Sequence, residues 1–123
     1  MNMNYWVVGA MQKGKEDQYD RFLLRGYWYL NWSKADQPSQ AALVEQMEPN
    51  DRIAIKKMLG KGANEIEIRA IGIIKDIDHE ENRIYVNYLL YDLDRKVASK
   101  GCFGSVHGPC SPADDWTREV FSI

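Results

Sequence analysis

Apolar positions along the chain change period several times, and each change marks an element. Tyr5 to Ala10 is a nearly unbroken apolar run rich in aromatic and β-branched residues, the pattern of a short strand buried on both faces. From Asp17 the spacing turns helical, with Tyr19, Phe22 and Leu23 on one side, and Gly26 supplies a left-handed stop, so a helix over 17–25 is predicted. Ala41, Leu43, Val44 and Met47 give a second helical stripe over 39–47 before Pro49 forbids continuation. Pro49-Asn50-Asp51 is a turn signal, with Asp51 and Arg52 assigned to the turn and a surface pair. Arg52 to Met58 alternates, placing Ile53 and Ile55 on one face and Arg52, Ala54 and Lys56 on the other.

Glu65 to Asp76 reads as a long strand interrupted at Gly72, where a bulge or bend is predicted. His79 to Asn82 forms a turn and Arg83 to Tyr91 the returning strand of an antiparallel hairpin. Beyond Asp92 the pattern weakens. Gly101 to Pro112 reads as an ordered loop, and Glu119 to Ile123 as a last strand able to close a small barrel. The sum is one α+β domain over residues 1–123.

Composition narrows the class. With 45% hydrophobic and 28% charged residues the chain has the make-up of a globular domain, and its formal charge of −2 argues against binding dominated by phosphate neutralisation. A local exception is Arg52 to Lys61, which carries Arg52, Lys56, Lys57 and Lys61 without an acid. No leader peptide or membrane-spanning stretch is visible, and two cysteines make no disulfide framework, so a reduced, cytoplasmic setting is expected. Cys102, His107 and Cys110 lack zinc-ligand spacing, and no glycine-rich phosphate loop is present, so no metal, cofactor or catalytic set is assigned.

Four short pieces carry a family resemblance. Trp6-Val7-Val8-Gly9-Ala10, Gly26-Tyr27-Trp28, Asp51-Arg52-Ile53-Ala54-Ile55-Lys56 and Ala70-Ile71-Gly72-Ile73-Ile74, in this order, resemble the EVE domain of the PUA-like superfamily, above all the version fused to AAA+ subunits of McrB-like modification-dependent restriction systems. Asn50 stands where that family usually has glycine. The resemblance spans about residues 5 to 90. It implies a PUA-like mixed β pseudo-barrel of five or six strands with flanking short helices, and a DNA or RNA partner whose modified or flipped base sits in an aromatic-lined pocket. A separate AAA+ or nuclease partner is also implied.

The pocket expected on this basis is walled by Trp6, Val8, Gly9, Ala10, Trp28, Ile55 and Lys56, with Lys56, Lys57 and Lys61 near phosphates and Ser105 and His107 as a further wall. Base stacking on an aromatic contributes about 1–3 kcal/mol, and the Trp6, Tyr27, Trp28, Tyr29 and Trp32 set is dense enough to supply it, although aromatics equally fill cores. Gly9 and Ala10 let a planar ligand approach backbone N–H and C=O groups, as a tight strand exit also would. Two rival functions stand beside base reading. One is an ASCH-like hydrolase acting on a modified nucleoside, with Lys56 and Glu67 in the chemistry, although that family's own motif is not visible in the chain; the other is a protein-interaction module of a prophage or defence assembly using the aromatics around Tyr27 to Trp32.

Overall fold

The computed structural model describes residues 3–12, 16–31, 35–60 and 62–123. Its elements, in chain order, are β1 (Tyr5–Gly9), β2 (Met11–Gln12), β3 (Glu16–Asp17), α1 (Tyr19–Arg25), β4 (Tyr27–Trp28), α2 (Pro38–Glu45), β5 (Arg52–Met58), β6 (Glu65–Asp78), β7 (Arg83–Leu90), β8 (Arg95–Ala98), β9 (Val106–Cys110) and α3 (Asp115–Phe121). Among the described residues, seven strands form one open sheet in the order β4-β7-β6-β5-β1-β9, with β8 also on β6; β2 and β3 form a separate ribbon. The pairing of β1 with β5 is parallel, Tyr5 opposite Arg52 and Gly9 opposite Lys56, while the β6–β7 hairpin is antiparallel.

Both faces of the sheet are buried at β1 and over most of β5, which is why β1 reads as continuous apolar sequence. Trp6, Val8, Ile53 and Ile55 enter one core together with Tyr19 and Phe22 of α1 and Val44 of α2. Tyr5, Val7 and Ala54 enter a second core with Trp116, Val120 and Phe121 of α3. The sheet curls around the first core far enough for Trp28 on β4 to donate from Nε1 to the Gly9 carbonyl of β1 at 2.8 Å. Among the described residues no helix is long and apolar enough to cross a membrane.

Local predictions hold at the turns. Gly26 caps α1 at φ +72°, and Asn50 takes φ +79°, a conformation asparagine tolerates. Register shifts between Ile71 and Gly72. A Cβ at Gly72 would lie 2.6 Å from Val86 Cγ1 and 2.7 Å from the Asn87 carbonyl oxygen, so glycine is required there by close approach of the partner strand.

The tail differs from expectation. Glu119 to Ile123 is not a closing strand: Asp115–Phe121 is helical, and Asp114 caps it by accepting from Trp116 N. The reason is the spacing of Trp116, Val120 and Phe121, which makes a helical stripe and would scatter over both faces of a strand. Within the expected loop, Val106–Cys110 forms an edge strand antiparallel to β1. Asp51, assigned to a surface pair, is instead 3% exposed. Its carboxylate accepts from Trp6 Nε1 at 3.0 Å, Asn4 N at 3.1 Å and Glu48 N at 3.0 Å, tying the start of β1 to the turn before β5.

Candidate functional site

Because β1 and β5 run parallel, their carboxyl ends lie side by side, and a ligand crevice at such ends is common in sheets with parallel strands. A cavity of about 280 Å³ opens there. Gly9, Ala10 and Met11 form one wall and Lys56, Lys57 and Met58 the other, with Asp17 and Arg69 completing it. The volume lies just under the ~300–1,000 Å³ of drug-sized sites, which suits a single planar ring with its substituents. Its body is apolar, and Met11 and Met58 are 48% and 42% exposed, offering soft thioether walls.

Arg69 is the most constrained polar group of this slot. Its guanidinium carbon lies 3.8 Å from the Tyr19 ring centroid, and Nη1 is 2.8 Å from Asp17 Oδ2. The platform is itself anchored: the Tyr19 hydroxyl accepts from Asp92 N at 2.6 Å and lies 3.1 Å from Asp92 Oδ1 and 3.2 Å from the Arg69 carbonyl oxygen. Asp17 Oδ1 accepts from Tyr19 N at 3.0 Å. Burial raises the Tyr19 phenol above its ordinary value, so it stays protonated at neutral pH.

The backbone of the β1 end is engaged within the fold. Gly9 O accepts from Trp28 Nε1, Gly9 N donates to Ser105 O at 2.9 Å, and Ala10 O accepts from Gln18 N at 2.9 Å. Gly9 N, Gly9 O and Ala10 O thus each have one partner within the fold, which leaves side chains as the more open groups for readout. At Gly9 the nearest atom to an added Cβ would be Lys56 Cε at 3.9 Å, so packing does not demand glycine.

Of the expected pocket residues, Gly9, Ala10, Lys56 and Lys57 come together at the slot. Trp6, Val8, Trp28 and Ile55 do not; each is 0% exposed within the first core, so the aromatic wall proposed from sequence is corrected to a core role. The physical reason is that their rings fill the space between the curled sheet and its helices, while their N–H groups find internal acceptors. Lys56 lends its stem to the slot, but its ammonium is 2.8 Å from Cys102 O and the residue is 4% exposed, so it is corrected from a phosphate contact to an internal donor.

Ser105 is not among the residues lining the slot, although its carbonyl accepts from Gly9 N. His107 lines a different depression with Lys100, Asp114 and Glu119, its ring centroid 5.3 Å from that of Trp116. Lys61 and Trp32 lie outside the described residues. Tyr27 and Tyr29 are half-buried and stack beneath Arg83, away from the slot. Glu67 pairs in register with Lys57, which puts it on the sheet face opposite Lys56, so the alternative Lys56–Glu67 dyad is not assembled.

Met11, Asp17, Met58 and Arg69 were not anticipated. The Asp17–Arg69 pair spans 52 positions and has no local signature, whereas Met58 could have been placed at the strand end that follows Lys56 and Lys57. Burial raises the thiols of Cys102 and Cys110, the latter to about 11, and lowers His107, with the Lys56 charge adding to the last effect. Among the described residues no three His, Cys, Asp or Glu side chains converge as metal ligands would.

Lys56 makes a pH test possible. Burial lowers its ammonium below the ordinary value of 10.5, the neighbouring Cys102 opposing this in part. In the interval between the lowered folded value and 10.5 the unfolded chain binds more protons, so this group's contribution to stability rises with pH. The unfolding free energy of the wild type minus that of Lys56→Met, from urea titrations, should therefore increase from neutral pH toward pH 10. A difference independent of pH would contradict a buried charged lysine.

Comparison with known proteins finds no matching family model, no matching curated protein and no matching solved structure.

Proposed function

We propose that this chain binds nucleic acid by holding one base in the slot at the carboxyl ends of β1 and β5, and that the curled sheet is a PUA-like, EVE-like pseudo-barrel. The observation that carries the reading is the meeting of Gly9 and Ala10 with Lys57 and Arg69 around a cavity of single-base size. Met11 and Met58 supply apolar contact for the ring, and Lys57, exposed at the rim, supplies a phosphate contact. No bond chemistry is required, and a separate motor or nuclease would act on what is bound. Insertion of a base must offset a few kcal/mol of unstacking, so single-stranded or mismatched sites are favoured.

Fluorescence anisotropy with short labelled DNA and RNA strands, each carrying one unmodified or modified base, tests this. With about one phosphate neutralised per rim cation, log K falls with log salt by roughly 0.7 per contact, and Lys57→Glu should flatten the slope by about that amount while weakening binding to all sequences alike. A folded wild-type protein that binds none of these strands at low salt would refute the reading.

A second reading rests on one groove. Leu24, 81% exposed, and Tyr91, 60% exposed, line a cavity of about 540 Å³ between α1 and β7, and this exposed apolar pair supports a protein-interaction module.

A further inference from the structure

The donor and acceptor inventory of the slot is one-sided. Gly9 O and Ala10 O each accept an internal bond, and each oxygen of Asp17 accepts one, from Tyr19 N and Arg69 Nη1. Lys56 is directed to Cys102 O. Among the described residues the polar groups left open at the slot are donors: the Lys57 ammonium and the guanidinium N–H groups of Arg69 beyond the one bound to Asp17. A ligand that brings acceptors to these donors is therefore favoured. The guanidinium, moreover, is stacked 3.8 Å from the Tyr19 ring centroid and tethered at 2.8 Å, so its plane and the direction of its fork are set before any ligand arrives. Asp17 offsets much of its charge, which favours a neutral pair of acceptors over a phosphate.

We propose that the slot selects guanine, with Arg69, flattened against Tyr19 and held by Asp17, donating two parallel hydrogen bonds to the adjacent N7 and O6 of the base. The inference rests on the base-binding reading above. Guanine presents those two acceptors side by side, and arginine is their commonest partner; adenine presents an N6 amino group at the O6 position, which would face donors. Cytosine offers adjacent N3 and O2, but its smaller ring covers less of the wall made by Met11 and Met58.

The test is equilibrium binding of the unaltered protein to thymidine oligomers carrying one central guanine, 7-deazaguanine, adenine or cytosine. Guanine should bind about 5- to 100-fold tighter than adenine or cytosine, and 7-deazaguanine, lacking the N7 acceptor, should lose most of that preference. Arg69→Lys keeps the charge but not the fork, so it should level guanine with adenine. Equal binding of guanine, 7-deazaguanine and cytosine, or competition by inorganic phosphate without base preference, would overturn guanine selection and leave base or strand binding standing. Failure of every oligomer to bind at low salt would overturn both.

Discussion

Trp28→Ala is expected to destabilise the fold by about 3–5 kcal/mol, the range for removing a large aromatic from a packed core. In a chain of 123 residues this lowers the melting temperature by roughly 10–20 °C. Trp28 is 0% exposed and sits on the two-residue strand β4, whose place at the sheet edge depends on that side chain reaching across the core to Gly9 O. Its loss empties the space between β4, β7 and β1 and leaves the Gly9 carbonyl without its donor. Trp28→Phe keeps an aromatic ring but loses part of its volume and the hydrogen bond, so its deficit should be smaller, about 1–3 kcal/mol. Calorimetric melting of the two variants checks this order. A Trp28→Ala protein that melts like the wild type would show that the ring is not a core residue, and would restore it as a wall of the ligand pocket.

Asp51→Asn should destabilise almost as strongly, by about 3 kcal/mol, despite an unchanged shape. The carboxylate is an acceptor for three donors, two of them on Oδ2 and one on Oδ1. Whichever way the amide is turned, its NH2 group faces at least one N–H, and the most buried of these belongs to Trp6. Denaturant titration of Asp51→Asn at neutral pH checks this, and a protein as stable as the wild type would mean that the three hydrogen bonds do not hold the start of β1 to the turn.

These two residues show where sequence reasoning stops. Both stand in the motif pieces that resemble the EVE family, and both invite a surface or pocket role. The alternation around them is correct to the residue, since Ile53 and Ile55 share a core and Ala54 faces the other. What alternation cannot show is how far the sheet curls, and that curl decides whether Trp28 faces a ligand or Gly9. Lys56 presents the same difficulty: its place opposite Gly9 follows from two strand ends being neighbours, yet its ammonium turns to a carbonyl 46 positions away. Arg69, a strand residue with alternating neighbours, gave no sign of its stacking on Tyr19, because that contact joins two elements through a helix packed over the sheet.

By itself the sequence determined the strands of β1, β5, β6 and β7, the two early helices, the left-handed position at Gly26, the turn at Asn50, and the bulge at Gly72. All of these follow from local terms, namely side-chain period, backbone sterics and turn chemistry, which act over a few residues. Tertiary structure alone decided which sheet face the last helix covers, that the tryptophans are core, and that Asp17, Lys57, Met58 and Arg69 converge beside Gly9. Those outcomes depend on which apolar faces bury one another across long sequence separations, and no local pattern carries that information.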